Sequence, residues 1–328
     1  MILAGDIGGT KTLLALYRDE GGILQQEVRK SYPSQDFDSF SDVLQRFIDS
    51  SRPDTINAMA LGIAGPIIDQ ACRTTNLPWT IVTRDLQLAL KLDAVFLLND
   101  LEATAYGMLH LPESNFLTLN SGEPKPGNIA VIAAGTGLGE AILHRAGNQW
   151  HPIATEGGHC EFAPQNKRQD DLLQWLRTLY PDHVSLERIL SGDGIINLYR
   201  FLLESDAASP PAEFSALASS TFPTAQQISD QAINHHNPLC KATLQLFTEI
   251  YGAEAGNLAL KSLPRSGLFI GGGIGPKIQP LLTNGTFIKS FSNKGRFSQM
   301  MKEIPVKLSL NEETALIGAA YYAHHRQH

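Results

Sequence analysis

The sequence predicts an α/β protein of two domains, each a mixed sheet flanked by helices. Three observations carry that prediction. The 328 residues exceed what a single hydrophobic core commonly serves. Apolar segments with strand spacing alternate with segments of helical spacing. Each half also opens on a strand, a glycine turn carrying a threonine, and a second strand: Gly8-Gly9-Thr10 in the first half, Gly135-Thr136-Gly137 in the second.

Taken in order, residues 2–7, 12–17 and 23–29 read as strands, the last two joined by the hairpin signal Asp19-Glu20-Gly21-Gly22. Residues 37–48 place Phe40, Val43, Leu44 and Phe47 on one helical face. A strand over 56–63 ends at Ala64-Gly65-Pro66. A helix over 84–92 leads into a strand over 94–98 that delivers Asn99-Asp100, and a helix is expected over 102–111. The second half starts with strands at 129–134 and on through Leu143. Helices follow at 170–179, 185–190, 195–204, 225–235 and 238–262. Residues 268–270 form a strand ending in Gly271-Gly272-Gly273, and 312–324 form an alanine-rich amphipathic helix. The Ala, Ser and Pro of residues 207–223 predict a surface loop.

An apolar fraction of 43% with 18% charged residues fits a globular chain and excludes a disordered or fibrous one. A net charge of −7, with no concentrated Lys/Arg run, argues against nucleic acid or anionic lipid as a partner. The three cysteines, Cys72, Cys160 and Cys240, are too far apart for a disulfide framework or a paired-cysteine metal site. The chain opens on Met1-Ile2-Leu3-Ala4-Gly5-Asp6 without a basic segment and has no run long enough to span a bilayer. A cytoplasmic protein without a signal peptide is therefore expected.

Three glycine-rich loops each follow a strand: Gly5-Asp6-Ile7-Gly8-Gly9-Thr10, Gly135 to Gly139, and Gly271 to Gly273. Glycine permits positive φ and close approach, so amide N–H groups can converge on phosphate oxygens, with threonine adding a hydroxyl. Each loop alone reads more readily as a plain chain reversal. A P-loop would need a lysine before Ser/Thr and then a helix, but here Lys11 follows Thr10 and a strand-like segment comes next. A dinucleotide loop would need a third glycine where Glu140 stands. A phosphate cradle made of β-hairpins remains.

Such a pair of hairpins resembles the two phosphate motifs of actin, the Hsp70 ATPase domain and hexokinase. The resemblance implies the two-domain actin-like ATPase (ribonuclease H-like) fold with an interdomain cleft. The small α/β domain would span residues 1–110, completed by a C-terminal helix over 311–328, and the large one 111–310. ATP would lie on the three glycine loops, with Gly271 to Gly273 against the adenosine. Asp6 would act near Mg²⁺ through water, or else cap its own turn.

Asn99-Asp100 ends a strand, where open α/β sheets place ligand groups, though the same pair suits a helix cap. Glu156-Gly157-Gly158-His159 and Glu187 are further polar clusters, and each has an ordinary reading as a surface turn or a first-turn carboxylate. Together they offer carboxylates, an amide and an imidazole, the groups that pair with adjacent sugar hydroxyls. The motifs Leu98-Asn99-Asp100, Glu156-Gly157-Gly158-His159, Glu187 to Gly192 and Thr75-Asn76-x-x-Trp79 resemble those of bacterial glucokinase. So do Gly256-Asn257-Leu258-Ala259-Leu260, the triple glycine and Lys294-Gly295-Arg296-Phe297. By that resemblance Asn99, Asp100, Glu156, His159 and Glu187 bind glucose. Asp100 is the catalytic base on its 6-hydroxyl, and the product, glucose 6-phosphate, enters glycolysis. A homodimer is implied as well.

The repressor/ORF/kinase family usually carries a cysteine-rich zinc motif after Glu-Gly-Gly-His. Only Cys160 stands there, so the zinc-free branch fits better. Lys11 stands where some of that branch have Asn. Other readings are a kinase for fructose, mannose or an N-acetylhexosamine, and a non-catalytic sugar-sensing or filament-forming member. The negative charge speaks against a DNA-binding sensor, and the polar clusters against a filament protein.

Overall fold

The computed structural model describes residues 1–74, 76–147, 149–205 and 222–327. The loop expected over 207–223 lies, except for its last two residues, outside that set, as does Thr75. The described chain forms two compact units, Met1–Asn115 with Ala146–Ala154 and Asn311–His328, and Phe116–Arg145 with Thr155–Leu310.

The first unit carries β1 (Ile2–Ile7), β2 (Lys11–Glu20), β3 (Ile23–Pro33), α1 (Phe40–Ser51), β4 (Ala58–Ile63), β5 (Ile67–Ile68), β6 (Ala71–Arg73) and β7 (Thr80–Val82). It continues with α2 (Thr83–Leu90), β8 (Val95–Asn99) and α3 (Asp100–Met108), and it also takes in β12 (Gln149–Ala154) and α12 (Thr314–Arg326). Its main sheet runs β3-β2-β1-β4-β8, with β1 antiparallel to β2 and parallel to β4, and β4 parallel to β8. The period-2 alternation along β1 decides what each face buries. Leu3 and Ile7 join Phe40, Val43 and Phe47 of α1, whereas Ile2 and Ala4 join Leu316, Ala319, Ala320 and Ala323 of α12. The alanine-rich sequence of α12 is what lets it approach α3. A Cβ at Gly318 would collide with the Ala103 carbonyl, and one at Gly107 with that of Thr314. At the β2–β3 turn, Gly21 (φ 69°) and Gly22 (φ 91°) take the left-handed conformation the hairpin signal demands.

The second unit contains β9 (Phe116–Asn120), β10 (Ile129–Ala134), β11 (Leu138–Ala146), α4 (Lys167–Leu179), α5 (Gly192–Ser205), α6 (Ala225–Ile233) and α7 (Pro238–Ser262). It ends with β13 (Gly267–Gly271), α8 (Ile274–Lys277), α9 (Gln279–Thr283), α10 (Thr286–Ser292), α11 (Ser298–Glu303) and β14 (Val306–Ser309). Within it the strands run β11-β10-β13-β14-β9, with β10 antiparallel to β11 and parallel to β13, and β13 parallel to β14. Each unit thus repeats one pattern, an antiparallel hairpin followed by two parallel strands. This is the structural form of the duplication visible in the glycine turns. α7 is buried along most of its length, with Leu244, Phe247, Tyr251, Ala255 and Leu258 in the core. Among the described residues no helix is long and apolar enough to cross a membrane.

One expected helix is corrected. Residues 185–190 form a single 3₁₀ turn, Leu186–Arg188, rather than an α-helix. Ser185 is engaged in a bridge to Glu161, and the Ser191 hydroxyl turns back to the Glu187 carbonyl at 2.7 Å, so the chain bends where the periodicity suggests it continues.

Candidate active site

In the first unit, β1 and β2 present Gly8-Gly9-Thr10 at their joined ends. The Gly8 N–H donates to the Lys11 carbonyl at 3.0 Å, closing the turn. Ser34, fully buried, holds the loop at both ends: its hydroxyl donates to the Gly8 carbonyl at 2.8 Å and its N–H to that of Thr10 at 3.0 Å. The buried Thr12 hydroxyl lies 2.9 Å from that of Ser34. Gly9 must lack a side chain, because a Cβ there would lie 2.6 Å from Asn76 Cβ, so the Asn76-x-x-Trp79 stretch packs on the loop. Gly5 likewise leaves room for Leu61 and Leu14, and Ile7 is buried in the core beneath the loop, whereas Thr10 and Lys11 are exposed. A loop anchored below and open above leaves its amides and threonine hydroxyl available to an anion.

Asp6 is half-buried at the C-terminal end of β1, in register with Gly62 of β4. Burial lifts its carboxyl from 3.8 to about 6; Asp100 pushes in the same direction and Lys11 opposes. Asp100 begins α3, just after β8, and its Oδ1 accepts the Leu101 N–H at 2.9 Å. The helix N-terminus favours its charged form. Gly62 is needed between them: a Cβ there would lie 2.8 Å from that of Ala103 and 3.8 Å from Asp100 Cα.

Asn99 combines both readings of its sequence. It caps α3 in a capping box, its Oδ1 accepting the Leu101 N–H at 2.9 Å while its N–H donates to Glu102 Oε2 at 2.9 Å. Its Nδ2 donates to the Gly65 carbonyl at 3.1 Å, and Gly65 takes φ 148° against Cys72 and Arg73. Burial, then the Asp100 charge, pushes the Cys72 thiol upward.

In the second unit, the Gly135 N–H donates to the Gly137 carbonyl at 2.8 Å, and the Gly135 carbonyl accepts the Gly192 N–H at 2.9 Å. Thr136 is exposed at the tip, as Thr10 is at the tip of the first hairpin. Glu187 is tied directly to this hairpin. Its Oε2 accepts the Leu138 N–H at 3.0 Å and fills the place a Cβ on Gly137 would need, 2.5 Å away. The adjacent parallel strand β13 brings Gly271 into register with Ala133. Gly272, at φ 80°, passes so close to the Ala134 carbonyl that no side chain fits, and Gly273 borders open space. The second and third glycine loops therefore meet at the C-terminal ends of neighbouring strands, the ligand-binding edge of such sheets.

Gly157–His159 is a 3₁₀ turn entered from Glu156 and closed by the His159 N–H on the Glu156 carbonyl at 3.0 Å. Its two glycines are dictated by packing on β11: a Cβ at Gly157 would strike the Glu140 carboxyl, and one at Gly158 the Leu138 carbonyl. Glu156 and His159 themselves are exposed. The turn and the Glu187 segment are joined by the Leu186 N–H on the Cys160 carbonyl at 2.9 Å and by His183 Nε2 beside the His159 carbonyl at 2.8 Å. Glu156, His159, Glu187 and Gly135 to Gly137 thus form one constellation in the second unit, and Asp6, Gly8 to Thr10, Asn99 and Asp100 form another in the first. Sequence reasoning missed Ser34, Thr12, Glu140 and His183. A serine 26 residues beyond Gly8 carries no signal, because only the folded hairpin brings it beneath the loop.

A family model described as Glucokinase matches residues 3–326. A glucokinase of Nostoc sp. (strain PCC 7120) is 40% identical, with 98% of both chains covered. A glucokinase of Synechocystis sp. (strain PCC 6803) is 38% identical, with 98% of this chain and 97% of the relative covered. Among solved structures, glucokinase from an Antarctic psychrotroph superposes with a TM-score of 0.85 at 33% identity over 99% of this chain and 98% of its own. Glucokinase from Balamuthia mandrillaris, solved in complex with glucose, shares the fold with a TM-score of 0.78 at 21% identity over 98% and 92% of the two chains. The two-domain actin-like ATPase fold read from the paired hairpins is the fold these neighbours share. With a family match spanning all but a few terminal residues and relatives at 38% and 40% identity over 97% and 98% of their length, the chain belongs to the glucokinase family.

Proposed function

We propose that this protein transfers the γ-phosphoryl group of ATP to the 6-hydroxyl of D-glucose, with Asp100 as general base. The observation that carries the proposal is that two carboxylates, Asp6 at the end of β1 and Asp100 just past the end of β8, stand at the C-terminal edge of one sheet, on which the anchored Gly8-Gly9-Thr10 loop also lies. Phosphoryl transfer passes through a loose transition state and asks chiefly for positioning and charge neutralisation. Asp100, at the N-terminus of α3, accepts the hydroxyl proton late in the transfer. Asn99, Glu156, His159 and Glu187 hold the sugar, their carboxylates, amide and imidazole each pairing with hydroxyls. The amides of Gly8 to Thr10 and Gly135 to Gly137, with the two exposed threonine hydroxyls, hold the phosphates, and Gly271 to Gly273 admit the adenosine.

The donor set fits Mg²⁺. Among the described residues no group of three or more His, Cys, Asp or Glu side chains could hold a metal alone, and Mg²⁺ characteristically takes one or two carboxylates and fills its remaining sites with phosphate and water. Asp6, uncomfortable as an anion beside Asp100, gains from a cation nearby, and the ion supplies neutralisation of phosphate charge. The proposal also takes from the resemblance to bacterial glucokinase a cytoplasmic setting, a place at the start of glycolysis and a homodimer. Its test is Asp100→Asn in a coupled ADP-release assay. A fall in kcat of about 10²–10⁴ with glucose binding retained is expected; turnover at the wild-type rate removes Asp100 from the mechanism.

A further inference from the structure

We propose that Glu140 and Glu254 form a proton-sharing buried pair that positions the Glu156–His159 turn for glucose. The inference rests on the reading that this turn binds the sugar. Glu140, on β11, is 2% exposed, and Glu254, on α7, is 4% exposed. Their carboxyl groups lie near enough to exchange a hydrogen bond, and Oε1 of each is buried without a hydrogen-bond partner, with Lys261 Nζ 3.8 Å from Glu254 Oε1. Two ionised carboxylates are acceptors only, so such a contact requires a proton on one of them. Burial first, then the Glu254 charge, lifts Glu140 from 4.5 to about 8, with Lys261 opposing. Burial raises Glu254 as well, against Asn257, Lys261 and Lys294.

The pair is held from one side and presses on the other. Asn257 Nδ2 donates to Glu254 Oε2 at 2.9 Å. Lys294 Nζ donates to Asn257 Oδ1 at 2.6 Å and to the Ala253 carbonyl at 2.9 Å. A Cβ on Gly256 would lie 2.5 Å from both the Phe291 carbonyl oxygen and Lys294 Cε, so the lysine stem crosses α7 there. Two motifs that phosphoryl transfer leaves unused, Gly256-Asn257 and Lys294-Gly295, thereby acquire a purpose. On the other side the Glu140 carboxyl occupies the space beneath Gly157. The Glu140 carbonyl accepts the Thr155 hydroxyl at 2.9 Å, and that oxygen accepts the Gly157 N–H at 3.2 Å. The height of the turn, and with it the reach of Glu156 and His159, is set by where the Glu140 carboxyl sits.

Glu254, Tyr251 and Lys261 of α7, together with Lys294, are the titratable groups around the pair; the Tyr251 hydroxyl is itself pushed upward by burial and stays neutral. Removing the shared proton at alkaline pH leaves two buried like charges in contact, which separate and displace Gly157. Glu140→Gln restores a donor in the same shape, whereas Glu140→Ala leaves Glu254 without it. The experiment measures KM for glucose and for ATP, with kcat, for the wild type, E140Q, E140A and E156Q. The expected wild-type result is a glucose KM that rises as pH passes about 8, with kcat and the ATP KM steady. E140Q keeps the neutral glucose KM and loses the rise. E140A has a glucose KM raised about tenfold or more at every pH, as displacement of a binding group predicts. A flat wild-type profile, or E140Q matching E140A, overturns the pair's role while glucose turnover and a raised KM in E156Q keep the sugar site. An unaltered glucose KM in E156Q removes the sugar site and the inference with it.

Discussion

Replacing Asp6 by Asn should make the ligand-free protein more stable and the enzyme far slower. Asp6 is ionised at neutral pH in both folded and unfolded chains, but in the fold its carboxyl titrates near 6 rather than 3.8 because of burial and Asp100. Keeping that charge costs about 3 kcal/mol at about 1.4 kcal/mol per pH unit, and the partial exposure of the side chain brings it to about 2 kcal/mol. The sign follows from the raised value. Protonated in both states below 3.8, Asp6 costs nothing there; the penalty grows as pH rises from 3.8 and is complete above about 6. Asparagine, shaped like the neutral acid, removes that penalty. Urea unfolding of D6N and wild type without ligands should therefore differ by about 2 kcal/mol at neutral pH in favour of D6N, with the gap closing toward pH 4. The loss of kcat, about 10²–10³, reflects lost charge stabilisation near the phosphates. A D6N protein less stable than wild type at neutral pH, or a gain independent of pH, refutes the argument.

Ser34→Ala removes the hydroxyl that holds the Gly8 carbonyl and leaves Thr12 buried without its partner, which costs about 1–3 kcal/mol. The ATP KM should rise more than the glucose KM, and equal rises would contradict a role confined to the phosphate loop. Gly272→Ala forces a side chain into φ 80° and against the Ala134 carbonyl, a strain of about 2 kcal/mol or more. A fall in Tm with a raised ATP KM is expected, and an unchanged Tm contradicts the geometry.

The hairpins around Gly8 to Thr10 and Gly135 to Gly137 were legible because strand periodicity and glycine turns are local signals. The strand over 129–134 and the helix over 238–262 were equally plain, being long and strongly apolar. The 3₁₀ turn at Leu186–Arg188 was not, since its apolar residues keep helical spacing while the bridge that engages Ser185 comes from Glu161, remote in sequence. The short edge strand β9 and the small β5–β7 sheet were missed too, because two- to five-residue strands carry too little pattern to separate from loops. At Asn99, sequence alone offered a cap or a ligand as alternatives. The structure assigns Oδ1 to the cap and Nδ2 to Gly65, and the proposed contact with sugar must be made alongside them. Glu140 gave no sign of importance, because in sequence a glutamate on a strand looks exposed and only tertiary packing buries it against Glu254.

The most direct test of the account is ADP release by the wild-type protein with Mg-ATP and a panel of glucose, mannose, fructose and N-acetylglucosamine. The account predicts that kcat/KM is highest for glucose, with glucose 6-phosphate as the product. No turnover on any hexose, or a higher kcat/KM for another sugar than for glucose, contradicts it.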